Sequence, residues 1–126
     1  MIKREDNLIH SELTEKIIGC VYDVYNTLGQ GFLEKVYENS LVIKLKQSGL
    51  DVIQRSPVKV YFESQLVGDS IADLLVEGKA IVEIKAVASL TSAHEVQLVN
   101  YLKATGVRVG LLVILGEKLK IVRRVF

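Results

Sequence analysis

Residues 71–87 read IADLLVEGKAIVEIKAV, and this stretch decides the fold. It contains two apolar runs that are separated by the turn-forming residues Glu-Gly-Lys at 77–79. Short apolar runs that are bounded by turn signals are typical of β-strands. The stretch therefore predicts an antiparallel pair, with one strand over about residues 70–76 and the other over about residues 80–87.

Charged side chains lie inside these two apolar runs. Asp73 is in the middle of the first run, and Glu83 and Lys85 are two residues apart in the second. Because side chains alternate across a strand, Glu83 and Lys85 share one face of the sheet. A charge within a core strand costs free energy unless it is paired, solvated or bound to metal. These three residues are therefore the first candidates for a functional site.

The length of the hairpin loop decides whether Asp73 joins the other two residues. A three-residue loop pairs Val76 with Ala80 and sets Asp73 opposite Glu83, with their Cβ atoms about 5 Å apart on one face. A two-residue loop puts the two carboxylates on opposite faces. In the first register, a cation between the carboxylates relieves their repulsion, and oxygen ligands at this spacing suit Mg²⁺ or Mn²⁺. An ordinary cross-strand pair of Lys85 with one carboxylate is the alternative without metal.

Hydrophobic periodicity assigns the rest of the chain. Apolar residues three and four apart predict amphipathic helices, and alternation predicts a half-buried strand. A nearly continuous apolar run near the C-terminus predicts a strand that is covered on both faces. The resulting order, ααβββαββ, indicates an α/β fold of the mixed-sheet α+β kind, in which the last helix crosses the sheet. The predicted elements are helices over about residues 11–28 and 32–48, strands over 58–62, 70–76 and 80–87, a helix over 92–104, and strands over 107–115 and 119–125.

The composition fits one ordinary domain over residues 1–126. Hydrophobic residues make up 49% of the chain, which is enough for a packed core. The net charge of +1 neither indicates nor excludes a nucleic-acid partner. No apolar stretch approaches the roughly 20 residues that span a bilayer, and the charged residues 1–6 lack the apolar core of a signal peptide. Since Cys20 has no internal disulfide partner, these features predict a cytoplasmic protein without a membrane association.

Four short motifs follow one another along the chain: GFLEKVY at residues 31–37, IADLLV at 71–76, VEIKA at 82–86 and QLVNYL at 97–102. The first matches the spacing Gly-x-x-Glu-x-x-Tyr. In this order and spacing, the motifs resemble the GxxExxY protein family, which is placed in the PD-(D/E)XK nuclease superfamily. One departure is Ala72, which stands where the superfamily name has proline.

The resemblance implies a restriction-endonuclease-like core, with helices flanking a central mixed sheet, and a metal-dependent nuclease activity. It implies that Asp73 and Glu83 bind Mg²⁺ or Mn²⁺ and that Glu34 completes the metal site. Lys85 would orient or deprotonate the attacking water. The same resemblance implies a supporting role for four further residues: Gly31, Tyr37, Gln97 and Tyr101.

The expected activity is hydrolysis of phosphodiester bonds in nucleic acid, with DNA as the expected substrate. Two other interpretations stay open. The chain could be a non-catalytic module that holds nucleic acid or a protein, or it could form a homodimer through the apolar helix at residues 11–28. A further protein partner is compatible with the sequence, because the sequence contains no evident specificity module.

Overall fold

The computed structural model describes residues 9–126, which form three helices and a five-stranded mixed sheet. This architecture confirms the predicted class and the order ααβββαββ. The expectation for the charged residues 1–6 lies outside the described residues. The helices are α1 (Ser11–Leu28), α2 (Glu34–Gln47) and α3 (Ser92–Thr105), and the strands are β1 (Val52–Phe62), β2 (Gln65–Val76), β3 (Ala80–Lys85), β4 (Val109–Leu115) and β5 (Leu119–Val125).

The predicted bounds were wrong mainly for the first two strands. Strand β1 begins at Val52 rather than near residue 58, and β2 begins at Gln65 rather than near residue 70. These strands form a long ribbon, and β3 pairs only with the last three residues of β2. The tip of the ribbon is exposed to solvent, including Tyr61 and Phe62. The residues that the prediction missed, 52–57 and 65–69, have no regular alternation of apolar and polar side chains and therefore give no strand signal, unlike residues 58–62.

The sheet follows chain order, β1-β2-β3-β4-β5. All neighbouring strands are antiparallel except β3 and β4, which are parallel. Helix α3 makes the crossover between these two parallel strands, as predicted. In the hairpin between β2 and β3, Val76 pairs with Ala80, so the three-residue loop is confirmed. This register is the one that brings Asp73 to the level of Glu83.

The two faces of the sheet carry separate apolar clusters. On one face, α1 and α2 pack on the sheet, while α3 covers the other face with Leu98 and Leu102. Strand β4 contributes to both clusters, with Leu111 in the first and Leu112 in the second. All seven residues of β4 are buried, which confirms the prediction of a strand covered on both faces.

The apolar stripe of α1 packs inside the chain. Ile17, Val21 and Val24 belong to the first cluster, and so does Cys20, which is a free and buried cysteine. A homodimer contact through this helix would therefore use its exposed face rather than its apolar stripe. Within residues 9–126, no helix is long and apolar enough to cross a membrane.

Helix α3 approaches β4 closely at Gly110. A Cβ atom added to Gly110 would lie 2.6 Å from Cδ1 of Leu98, whose side chain is fully buried. A side chain at this position would push α3 away from the sheet, because packed interiors hold little spare volume. By contrast, a Cβ atom added to Gly19 of α1 would meet nothing within 4 Å.

We predict that Gly110→Ala lowers the free energy of unfolding by about 1–3 kcal/mol through overpacking. Gly19→Ala is the matched control, and it should raise the free energy of unfolding by up to about 1 kcal/mol because alanine favours a helix. Urea denaturation of both variants tests this. Equal effects of the two substitutions would show that α3 does not depend on the close approach at Gly110.

Candidate active site

The pairing between β2 and β3 ends soon after the hairpin, and the two strands separate at the level of Asp73 and Glu83. This point of separation, called the fork, defines the site. The last paired residues are Leu74 and Val82. Beyond them, the backbone N–H of Asp73 donates to Oε2 of Glu83 at 2.6 Å, and the backbone N–H of Ile84 donates to Oδ2 of Asp73 at 2.7 Å. Two carboxylate oxygens therefore accept hydrogen bonds that strand carbonyls accept in a regular antiparallel ladder.

The side chains of β2 also change from one face of the sheet to the other at the level of Asp73. Ala72 belongs to the apolar cluster on the α3 side, whereas Leu74 belongs to the cluster on the α1 and α2 side. Residues two apart in a regular strand share a face, so β2 changes its facing at Asp73. On the neighbouring strand β1, Arg55 at the same level has a left-handed φ of 61°. Such conformations are uncommon outside glycine and cluster at functional sites.

Glu34 reaches the fork from α2. It lies in the first turn of α2, and its Oε2 accepts a hydrogen bond from the backbone N–H of Ala86 at 3.3 Å, just past the end of β3. Its negative charge raises the pKa of both Asp73 and Glu83, which means that the three carboxylates are close enough to repel one another. The structure therefore brings Glu34 near the two strand carboxylates, and its role as a metal ligand stays a prediction.

Glu38 is a buried acidic residue of the same cluster that the sequence interpretation missed. It is only 3% exposed, pairs with Lys35 at 3.1 Å and accepts a hydrogen bond from Nε2 of Gln54 on β1. Its charge also raises the pKa of Asp73. The signal that could have found it is its spacing of four residues from Glu34, which places the two on one side of the helix.

Burial raises the pKa of both strand carboxyls. For Glu83, burial is the largest cause and the charge of Asp73 comes next, and together they raise its pKa to about 7. For Asp73, burial is again the largest cause of a raised pKa, with further repulsion from Glu38 and Glu34. Backbone N–H donors and Lys85 lower both pKa values without cancelling the rise. The fold therefore compensates the charged forms of these two carboxyls only in part.

Lys85 lies at the end of β3, two residues after Glu83, and is half-buried. Its charge lowers the pKa of both Asp73 and Glu83. In the part of the chain that the structure describes, it forms no direct ion pair. The alternative of an ordinary cross-strand ion pair is therefore not what the structure shows. The ammonium group is near the carboxylates without being bound to either of them.

Tyr37 and Gly31 shape the loop before α2. Tyr37 is buried, and its hydroxyl donates to the carbonyl of Gly29 at 2.6 Å and accepts from the backbone N–H of Phe32 at 3.3 Å. Gly31 has a φ of 102°, which side-chain-bearing residues rarely adopt. These contacts fix the backbone that leads into Glu34, two residues after Phe32.

Gln97 and Tyr101 lie on α3, which covers the opposite face of the sheet from α2. Gln97 is exposed, and Tyr101 is half-buried against the apolar cluster of its face. Among residues 9–126, neither side chain forms a hydrogen bond to the carboxylates at the fork. Their supporting role stays a prediction.

The donor chemistry of the fork suits a hard divalent cation. Asp73 and Glu83 each use one oxygen in a backbone hydrogen bond, and the other oxygen of each accepts none from the described residues. Over residues 9–126, no three His, Cys, Asp or Glu side chains converge in a geometry that holds a metal ion. Mg²⁺, however, commonly binds to proteins through only one or two carboxylates, with water and substrate phosphate as its other ligands. The two strand carboxylates supply the number of protein ligands that this mode of binding uses.

The sequence matches the PD-(D/E)XK nuclease superfamily over residues 11–125. The chain belongs to this superfamily, which confirms the resemblance at that level, while the assignment to the GxxExxY family stays a prediction.

The fold is also similar to a known crystal structure. The structure of SSO0001 aligns with a TM-score of 0.55 and 21% sequence identity, over 90% of this chain and 57% of that one. This likeness shows a shared fold, and the chain spans less than two thirds of the length of SSO0001. None of the curated proteins matches the sequence.

The raised pKa of Glu83 predicts a pH-dependent stability in the absence of metal. The folded state favours the neutral carboxyl, so its contribution is fully present below the ordinary pKa of 4.5 and is lost as the pH rises through about 7. Replacing Glu83 by glutamine removes this loss. We expect the stability of Glu83→Gln relative to wild type to increase between pH 5 and pH 8 by up to about 2 kcal/mol.

Urea denaturation in EDTA at the two pH values measures this difference. Glu15→Gln, at an exposed position of α1, is the control and should follow the pH dependence of wild type. A difference between Glu83→Gln and wild type that stays constant with pH would contradict the raised pKa.

Proposed function

We propose that this chain is a metal-dependent nuclease that hydrolyses phosphodiester bonds, with DNA as its expected substrate. The observation that carries the proposal is the fork, where Asp73 and Glu83 lie at one level with Lys85 beside them. Membership of the nuclease superfamily supports the same class of activity.

Asp73 and Glu83 are the proposed metal ligands, through the oxygens that are not used in backbone hydrogen bonds. Glu34 is proposed to join the metal site after a change of its side-chain conformation, because its Oε2 accepts from the backbone N–H of Ala86 and no three acidic side chains of residues 9–126 converge in this structure. When bound, a Mg²⁺ or Mn²⁺ ion polarises a phosphate oxygen and lowers the pKa of a coordinated water. The raised pKa values of the two carboxyls support this role, because a cation removes the repulsion that raises them.

Lys85 is proposed to orient the attacking water and to stabilise the negative charge that develops on the phosphate. Its position two residues after Glu83 puts it on the same face of β3. Because it forms no ion pair among the described residues, its ammonium is available to a phosphate.

Cleavage of labelled DNA and RNA substrates tests the activity. Wild type should cut in the presence of Mg²⁺ or Mn²⁺ and not in EDTA, and Glu83→Ala and Lys85→Ala should each lose at least about 100-fold of the rate. Glu117→Ala, at the exposed turn between β4 and β5, is the control and should keep full activity. Retained cleavage by the Glu83 or Lys85 variant would overturn the proposed site.

Metal binding can be tested without catalysis. Mn²⁺ should raise the thermal stability of wild type, and more strongly at pH 8 than at pH 5, because the two carboxyls must lose their protons to bind it. Asp73→Asn and Glu83→Gln should lose most of this stabilisation, and Glu117→Gln should retain it. If wild type neither binds Mn²⁺ nor cuts any substrate, the catalytic proposal fails and the non-catalytic binding module becomes the better interpretation.

A further inference from the structure

The loop before α2 presents apolar side chains beside the proposed active site. Phe32 is 47% exposed and Leu33 is 79% exposed. Glu34 follows directly, so the backbone of Phe32 is within about 7 Å of the backbone of Glu34. Exposed apolar side chains of this size gain free energy when a ligand covers them, which makes this loop a contact surface at the edge of the site.

The ring of Phe32 contacts the ring of Tyr37. Its centroid is 6.2 Å from that of the Tyr37 ring, and the two planes are nearly perpendicular, at 85°. The backbone N–H of Phe32 donates to the hydroxyl of Tyr37, which is buried and donates to the carbonyl of Gly29. An aromatic side chain with such a contact loses less conformational entropy on binding a partner than one without neighbours.

Two lysines belong to the elements that meet at this loop. Lys35 is in the first turn of α2, and its side chain is 57% exposed although it pairs with Glu38. Lys85 directly precedes Ala86, whose backbone N–H donates to Glu34. Aromatic rings combined with nearby cations are the pattern that binds single-stranded nucleic acid, since rings stack on bases and cations contact phosphates. A base inside a continuous duplex is covered on both faces by its neighbours, so a protein ring can stack on it only after the duplex has been unstacked, which costs free energy.

We infer that Phe32 stacks on an unpaired base next to the phosphate that is cleaved. The substrate class is then single-stranded nucleic acid or a duplex with a frayed or forked end, in preference to a continuous duplex. This inference rests on the proposed nuclease function. In this arrangement Tyr37 is a positioning residue for Phe32, Gly31 permits the loop conformation, and Glu34 faces the metal site.

Fluorescence anisotropy of a labelled oligodeoxynucleotide tests the stacking. The probe is prepared as a single strand, as a forked duplex and as a blunt-ended duplex, and the Glu83→Gln protein serves as the parent so that no form is cut. Adding Phe32→Leu should weaken binding of the single strand and the fork by about 5- to 100-fold, the range for loss of one base-stacking contact. Binding of the blunt duplex should change much less, and Phe32→Trp should retain affinity for all three forms.

Phe62→Leu is the matched control, because Phe62 is 66% exposed at the far tip of the ribbon formed by β1 and β2. It should leave all three affinities unchanged. Full affinity in Phe32→Leu, or an equal loss for the blunt duplex and the single strand, would overturn the stacking role and leave the nuclease proposal intact. If the parent binds none of the probes and wild type cuts neither these probes nor RNA of the same sequence, the nuclease proposal fails together with this inference.

Discussion

The hydrogen bonds that Asp73 and Glu83 accept at the fork between β2 and β3 are the constraint on which the site depends. Separating two strands leaves backbone N–H groups without partners, and a buried unpaired donor costs about 1–3 kcal/mol. The two carboxylates satisfy the N–H groups of Ile84 and Asp73 and so make the separation tolerable. In this position both carboxyls are partly buried, and burial raises their pKa values because it disfavours the charged form. The same two groups therefore stabilise the fork through their hydrogen bonds and destabilise it when both of them are ionised.

The fork also explains how side chains from both faces of the sheet meet. Glu83 and Lys85 belong to the α3 face by strand alternation, whereas Glu34 comes from α2 on the other face. A continuous sheet would separate these groups by its own thickness. Because β2 leaves β3 beyond Leu74, Glu34 can reach the end of β3 and act on both strand carboxyls. The end of the pairing thus creates an edge that is shared by the two layers of the fold.

The sequence predicts those features that leave a periodic pattern, and it misses those that do not. The register of the hairpin follows from two apolar runs and a three-residue turn, and it places Asp73 level with Glu83 as expected. The left-handed conformation of Arg55 leaves no signal, because no glycine stands at that position. The burial of Glu38 is equally hidden, since a glutamate in a helix ordinarily lies in solvent. Only tertiary packing, which brings β1 and α2 together, decides both features.

The charge of the fork links the proposed metal to the proposed substrate. Four carboxylates, those of Glu34, Glu38, Asp73 and Glu83, lie near one another with Lys35 and Lys85, which leaves acidic charge in excess although the whole chain has a net charge of +1. Such a cluster repels a phosphate backbone, and the repulsion is strong where water is excluded. A divalent cation reverses the sign of the local field at the point where the phosphate must approach. Metal and nucleic acid should therefore bind cooperatively. The net charge of the whole chain does not reveal this local excess of acidic groups, so the composition carries no information about the substrate.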